Sequence, residues 1–316
     1  MNNEALIAVS QLTRYFGDQC AVSGISFTVQ RGEVLGFLGP NGAGKTTTMQ
    51  MICGVLAASS GEVSIAGYDI LDAPKQAKAH IGFLPEQPPL YTDLTVDEYL
   101  LYCGRLRRIP KSKLAGTLAN SKQRCGLEAV GKRLIGNLSR GYQQRVGIAQ
   151  AIIHSPAVVI LDEPTAGLDP IQIREIRQLI GELGEDHSVI LSTHILPEVQ
   201  GTCDRVLIID EGRLVLDEHV SALQRDKHHN SLSVALENPP VPEVLEAIDG
   251  VDRVDCVDKH RFRISYSVLK NTPVVLSEKA AASGWGLYEM IPESDILEEI
   301  FVHLIRGEGQ VESDAS

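Results

Sequence analysis

A glycine-rich loop between an apolar strand and a helix-forming segment restricts the fold of this chain more than any other feature. Residues 39–46 match the pattern G-x-x-x-x-G-K-[ST] without a mismatch, and the apolar run Val34–Leu38 leads directly into them. Glycines let backbone N–H groups converge on phosphate oxygens, and the start of the following helix adds positive potential. The pattern therefore predicts a P-loop nucleotide site in an α/β sheet.

Two residues of this loop have specific expected roles in binding the nucleotide and its metal ion. Lys45 supplies charge to the β- and γ-phosphates, and Thr46 supplies a hydroxyl to Mg²⁺. The residues predicted to bind the nucleotide here are Gly39, Pro40, Asn41, Gly42, Ala43, Gly44, Lys45, Thr46 and Thr47.

Bulk properties narrow the class of protein. The chain has 316 residues, which suggests two domains, and its net charge of −12 argues against binding nucleic acid through a basic surface. No apolar run approaches the ~20 residues that span a bilayer, and the N-terminus lacks the basic region and apolar core of a secretory signal. The six cysteines are scattered without a C-x-x-C pair, which favours a reducing cytoplasm over a disulfide framework or zinc site.

The order of patterns along the chain predicts an α/β core and a smaller second domain. Strand and helix patterns alternate over residues 1–218, which argues for a mostly parallel sheet, with a helical subdomain over about 93–155. Residues 226–230 are a polar linker, and 231–306 are expected to form a small α+β domain with strands at 232–236 and 261–266. That domain is predicted to end in an amphipathic helix from Ile296 to Ile305, with Glu298 placed for a capping box. The acidic tail 307–316 is predicted to be disordered.

Two carboxylates follow a second buried strand. Asp162 and Glu163 come directly after the apolar run Val158–Leu161. In an open α/β sheet the carboxyl end of such a strand lies beside the P-loop, so Asp162 is expected to hold Mg²⁺, directly or through water. Glu163 is placed to polarise the attacking water. A helix-start cluster would explain Pro164 but leaves the two acids unexplained.

Two further segments have polar residues at the ends of regular elements. Ser139 is a good N-cap for a helix, and Ser139 and Gly141 can offer a hydroxyl and backbone N–H groups to an anion. His194 follows the buried strand Ser188–Ser192. A lone histidine at such a position is more often a loop or core residue, so its context decides its interpretation.

The motifs and their order resemble the ATP-binding subunits of ABC transporters. These motifs are the P-loop, the segment Leu138–Arg145 with its Leu-Ser-x-Gly pattern, Asp162-Glu163, the loop Ala166–Asp169 and Ser192-Thr193-His194. The resemblance covers about residues 4–218 and implies a P-loop NTPase core that hydrolyses ATP with Mg²⁺, Glu163 and His194 being catalytic. It also implies a homodimer in which Ser139 and Gly141 complete the partner's site. The resemblance further places Ala166–Asp169 at the dimer seam and Phe16, with Tyr15 as the alternative, under adenine. Asp169 is also the predicted N-cap of a helix that has Pro170 in its first turn.

The chain departs from the family pattern in two places. Arg140 and Tyr142 stand where many members have Gly and Gln, although Ser139 and Gly141 are retained. Glu86 occupies the position where a metal-sensing Gln is usual, and Gln87 follows it, so either residue can serve that role.

The resemblance also predicts partners and a location. The stretch 84–91 and the C-terminal domain resemble the ABC-2 type exporters, which implies separate transmembrane permease subunits and a peripheral position on the cytoplasmic face of the membrane. An importer subunit and a non-transport ABC ATPase are the alternatives.

Overall fold

The chain divides into two compact units between Val220 and Ser221, and two β-sheets form the framework of the first unit. The computed structural model describes residues 5–225, 229–267 and 271–293. The strands of the first unit are β1 (Ile7–Phe16), β2 (Gln19–Val29), β3 (Val34–Leu38), β4 (Ser60–Ile65), β5 (Tyr68–Asp69), β6 (Ile81–Leu84), β7 (Val158–Asp162), β8 (Ser188–Thr193), β9 (Arg205–Asp210) and β10 (Arg213–His219). Its helices are α1 (Lys45–Ile52), α2 (Pro74–Ala79), α3 (Val96–Leu106), α4 (Lys111–Arg124), α5 (Arg140–Ile152), α6 (Pro170–Gly184) and α7 (Leu196–Thr202), with short 3₁₀ turns at Glu128–Val130 and Ile135–Asn137.

The larger sheet has the strand order β10-β9-β3-β8-β7-β6. Five of its strands are parallel, and β10 pairs antiparallel with β9 as a hairpin. Every residue of β3 and β7 is buried, because a parallel sheet is covered on both faces. Because β3, β8 and β7 are parallel neighbours, their carboxyl ends lie at the same end of the sheet. The P-loop, Asp162 and Thr193 are brought together there.

The smaller sheet is antiparallel, with the order β2-β1-β4-β5. One apolar core cluster joins its inward side chains, such as Leu12 and Val22, to Phe37 of β3 and Met49 of α1. Each fully buried side chain of this size contributes roughly 1.5–3 kcal/mol. The cluster therefore anchors α1, and with it the loop that precedes α1, against both sheets.

Three helices occupy the segment that the sequence predicts as a helical subdomain. They are α3, α4 and α5, within residues 96–152. Helix α3 begins at a capping box, because Thr95 accepts from the backbone of Glu98 and Glu98 accepts from the backbone of Thr95. An ion pair of 2.6 Å between Lys122 and Asp97 joins α4 to α3.

The second unit contains a four-stranded antiparallel sheet. Its elements are α8 (Val220–Arg225, which begins at the boundary), β11 (His229–Leu236), α9 (Pro242–Glu246), β12 (Val251–Cys256), β13 (Arg261–Ser267), α10 (Thr272–Ala282) and β14 (Leu287–Glu293), and the strand order is β12-β13-β11-β14. After α8 this is a βαββαβ arrangement of the ferredoxin-like type. Its core includes Val234, Phe262, Leu276 and Trp285. The predicted strands near 232–236 and 261–266 are present, whereas the predicted helix Ile296–Ile305, Glu298 and the tail 307–316 lie outside the described residues.

Candidate functional site

The P-loop connects β3 to α1 and has a backbone that demands glycine. Gly44 has a φ of 101°, and a Cβ there would lie 2.5 Å from the carbonyl oxygen of Ala21. A Cβ on Gly39 would lie 2.3 Å from the carbonyl oxygen of Ile209. Helix α1 starts at Lys45 with Gly44 as its N-cap and no side-chain cap, so its first N–H groups have neither an intrahelical acceptor nor a capping side chain. This geometry suits an anion at the helix start.

A cavity of about 370 Å³ opens over this loop. Its size is within the ~300–1,000 Å³ typical of small-molecule sites. The residues that line it are Ala21, Asn41, Gly42, Gly44, Lys45, Thr46, Thr47, Glu86, Glu163, Ala166 and His194. The fold thus brings most of the predicted P-loop residues together with Glu163 and His194, from strands far apart in the chain.

The ammonium group of Lys45 is held over the loop. Its Nζ donates to the carbonyl oxygens of Gly39 and Pro40, at 2.9 and 3.0 Å, and lies 3.4 Å from Oε1 of Glu163. Because Lys45 is only 5% exposed, these contacts fix a positive charge at the floor of the cavity.

Asp162 and Thr46 form a pair of oxygen ligands beside the loop. The hydroxyl of Thr46 donates to Oδ1 of Asp162 at 3.2 Å, and Ser192 donates to the same oxygen at 2.5 Å. The other oxygen, Oδ2, is buried and has no hydrogen-bond partner among the described residues. Hard oxygen donors suit Mg²⁺, which is commonly bound by one or two carboxylates together with substrate phosphates. The pair fits such an ion, and no cluster of three or more His, Cys, Asp or Glu side chains of metal-binding geometry occurs in the described part of the chain.

Glu163 and His194 form a second pair at the cavity wall. Nδ1 of His194 donates to Oε2 of Glu163 at 2.9 Å. The Glu163 side chain is nearly buried, whereas that of His194 is 43% exposed, so the imidazole extends into the cavity. Glu163 has a φ of 47°, an uncommon value for a residue other than glycine. Two hydrogen bonds hold this backbone, since the N–H of Glu163 donates to the hydroxyl of Ser192 at 2.9 Å and to its carbonyl oxygen at 3.2 Å.

Ser139 and Gly141 lie at the start of α5, outside the group that lines the cavity. Ser139 is exposed and caps the helix, accepting from the N–H of Tyr142 at 3.4 Å. Gly141 is buried, and a Cβ there would lie 2.7 Å from the side chain of Gln172 on α6. Gly141 therefore has a packing role within its own chain. Arg140 reaches the loop after β7, with its guanidinium 3.5 Å from the carbonyl oxygen of Gly167.

The remaining predicted site residues differ in their placement. Glu86 lines the cavity and Gln87 does not, so the geometry separates two residues that the sequence left equivalent. Phe16 and Tyr15 are both about half exposed and neither lines the cavity, and the guanidinium of Arg14 lies 4.7 Å from the centre of the Phe16 ring. Asp169 caps α6 as predicted, accepting from the N–H groups of Ile171 and Gln172.

Sequence reasoning missed Ser192 as a positioning group. It lies directly opposite Asp162 in the β7–β8 register and contacts both acids of the site. The available signal was a serine directly after the apolar run Val189–Leu191, because a polar side chain in a buried strand needs a hydrogen-bond partner.

Comparisons with known proteins identify the family of this chain. A model of the ABC transporter family matches residues 22–166. The bacitracin transport ATP-binding protein BcrA of Bacillus licheniformis is 34% identical over 304 residues, which cover 96% of this chain and 98% of that protein. The linearmycin resistance ATP-binding protein LnrL of Bacillus subtilis (strain 168) is 35% identical over 211 residues, 66% of this chain and 68% of that protein.

A solved structure has a similar fold. The structure of cbiO1 from Clostridium perfringens, described as part of the ABC transporter complex cbiONQ, superposes with a TM-score of 0.65 at 30% identity and covers 71% of this chain and 92% of its own. None of the helices in the described part of this chain has the length and apolar character that a bilayer crossing requires. The chain belongs to the ATP-binding proteins of ABC transporters, in the ABC-2 exporter branch, and is an ATPase.

Proposed function

We propose that two copies of this chain form a homodimer that binds two ATP molecules head to tail and drives a separate transmembrane permease. One observation carries this proposal. Lys45, Glu163 and His194 share one cavity, whereas Ser139, at the exposed start of α5, lies outside it. A second copy in head-to-tail orientation would supply its α5 N-terminus to complete the site, since a helix start with available N–H groups attracts phosphate.

The residues of one chain then divide the work of hydrolysis. Lys45 and the loop N–H groups bind and orient the β- and γ-phosphates. Glu163 polarises the attacking water, and its hydrogen bond to His194 orients the imidazole toward the γ-phosphate. Asp162 and Thr46 would hold Mg²⁺, which when bound neutralises charge on the phosphates. Glu86 lies at the cavity wall, where it can respond to the same metal.

Two relatives support export as the direction of transport. One is named for bacitracin transport and the other for linearmycin resistance. A subunit of this kind would sit peripherally on the cytoplasmic face of the membrane, bound to its permease. Permease-containing vesicles whose cytoplasmic face points outward, assayed with ATP in the presence and absence of this subunit, test the direction. Accumulation of a labelled compound in the lumen corresponds to export, whereas loss of a preloaded compound from the lumen would favour the importer alternative.

The catalytic assignment is tested by the variant Glu163→Gln. We expect steady-state turnover to fall by roughly 10²–10⁴-fold, because loss of a general base removes a contribution of that size. ATP binding, measured by fluorescence of a labelled nucleotide, should persist. Glu33→Gln is the matched control. Glu33 is also a buried acid, but it directly precedes β3 and so lies at the amino end of the strands, away from the P-loop. Full turnover of Glu163→Gln would refute the assignment.

The head-to-tail arrangement is tested by mixing two inactive chains. A Lys45→Ala chain lacks its own P-loop charge, and a Ser139→Ala chain lacks the group offered to the partner. In a mixed dimer one site has both defects and the other has neither, so mixing should restore turnover. If Ser139 acts within its own chain, the mixture stays inactive.

A further inference from the structure

Helix α7 contains a buried acid that the proposed mechanism does not use. Glu198 is 0% exposed and accepts two hydrogen bonds of 2.7 Å, one from the hydroxyl of Thr165 and one from that of Thr193. A guanidinium nitrogen of Arg177 on α6 lies 3.5 Å from the same carboxylate. Burial of a charged group is costly unless it is paired and hydrogen-bonded, so this arrangement is built around the carboxylate.

The two hydroxyls come from the two loops that hold the catalytic pair. Thr165 is two residues after Glu163, in the loop between β7 and α6, and Thr193 immediately precedes His194 at the end of β8. They use different oxygens of Glu198, because Thr165 donates to Oε1 and Thr193 donates to Oε2. One buried carboxylate therefore links the loop after β7 to the end of β8.

The same network reaches the loop Ala166–Asp169, which the family resemblance places at the dimer seam. Thr165 lies directly before the loop Ala166–Asp169, and Arg177 belongs to the helix that Asp169 caps. A shift of this loop would be transmitted through Thr165 and Arg177 to Glu198, and from there through Thr193 to the base of His194. The chain of contacts is continuous. Thr165, Thr193 and Glu198 are buried, and the side chain of Arg177 is 30% exposed.

We propose that Glu198 is a positioning residue that couples the loop Ala166–Asp169 to His194, so that docking of the partner subunit aligns His194 with Glu163. This inference rests on the proposed roles of Glu163 and His194. Glu198 does not line the ATP cavity, so it acts through the two threonines and not on the nucleotide.

The test is steady-state ATPase kinetics of full-length Glu198→Gln and Glu198→Ala, with Glu33→Gln as the control. Glu33 is likewise a buried acid, 8% exposed, paired with Arg205 at 3.1 Å and accepting from the backbone N–H of Gln30. The alanine variant loses both threonine bonds, whereas glutamine keeps one acceptor oxygen. We expect kcat to fall about 10-fold in Glu198→Ala and less in Glu198→Gln, with KM for ATP within about 2-fold of wild type. Glu33→Gln should lower thermal stability without lowering kcat of the folded protein.

A second variant separates positioning from general destabilisation. Thr165→Val removes the hydroxyl whose side-chain hydrogen bond goes to Glu198. If Glu198 acts through Thr165, the double variant Thr165→Val/Glu198→Ala loses no more activity than Glu198→Ala alone. Fully additive losses, an unchanged kcat in Glu198→Ala, or a kcat loss equal to that of Glu33→Gln would each overturn the inference. Retained turnover in Glu163→Gln would refute the proposed function instead, so the two failures are distinguishable.

Discussion

Replacing Ser192 with alanine tests how the site holds its two acids. The hydroxyl of Ser192 donates to Asp162 at 2.5 Å and accepts from the N–H of Glu163 at 2.9 Å, and the residue is fully buried. A hydrogen bond to a charged group contributes about 1.5–3 kcal/mol. In the variant the N–H of Glu163 still donates to the carbonyl oxygen of residue 192 at 3.2 Å. Loss of its hydrogen bond to the hydroxyl therefore costs little stability. We expect a free energy of unfolding lower by about 2 kcal/mol, and a higher Mg²⁺ requirement because Asp162 is less firmly oriented.

The assay measures stability and function on the same protein. Urea unfolding followed by far-UV circular dichroism reports on the whole chain, whereas the single tryptophan, Trp285, lies in the core of the second unit and reports on that unit alone. The fluorescence transition should stay in place while the main transition moves to lower urea. The Mg²⁺ concentration for half-maximal ATPase activity should rise about 10-fold, the lower end of the effect of losing a residue that orients a metal ligand.

Ser188→Ala is the matched control. Ser188 lies on the same strand and is equally buried, and it donates to the carbonyl oxygen of Gln30 at 3.0 Å and accepts from the N–H of Gly32 at 2.8 Å. Its loss should cost about 1–2 kcal/mol with an unchanged Mg²⁺ requirement, because its partners are neutral and lie at the far edge of the sheet. The reasoning is refuted if Ser192→Ala unfolds at the same urea concentration as the wild type, or if its Mg²⁺ requirement matches that of Ser188→Ala.

Three further perturbations have defined outcomes. Burial and the nearby charge of Arg107 lower the pKa of His154 to about 4, so stability that is present above the unfolded value is lost as the pH falls from about 6.5 to about 4. The melting temperature of His154→Gln should fall less over that pH interval than that of the wild type. Equal falls in the two proteins would contradict this. Gly44→Ala should destabilise the chain by about 2 kcal/mol or more and abolish nucleotide binding, because its φ is 101° and its Cβ would meet the Ala21 carbonyl oxygen. Gly116→Ala, in the middle of α4 with open space at its Cβ, should instead stabilise by about 0.5–1 kcal/mol in urea titration. Phe16→Ala should weaken ATP binding about 10-fold in a fluorescence titration while Tyr15→Ala does not, and the reverse result would assign the adenine contact to Tyr15.

Sequence patterns predicted well wherever the physical cause is local. The strand, glycine loop and helix of residues 34–52 follow from apolar runs and from backbone conformations that few residues other than glycine adopt. The N-caps at Ser139 and Asp169 have the same character, since each requires only a side-chain oxygen two or three residues before the N–H that it accepts from. In the second unit the patterns predicted β11 and β13 but not β12, whose residues Asp252, Arg253 and Asp255 break the apolar alternation.

The sequence by itself determined that this chain has a P-loop followed, in order, by the other motifs of an ABC ATPase. Each motif consists of a few residues that are adjacent in the chain, so it can be recognised without the fold. Only the tertiary structure decided which distant residues meet. Ser192 faces Asp162 because β7 and β8 are neighbours in a particular register, and Glu198 joins Thr165 to Thr193 because α7 packs against β8 and α6. Glu86 lines the cavity while its neighbour Gln87 does not. Such choices depend on strand order and packing, which no local pattern records.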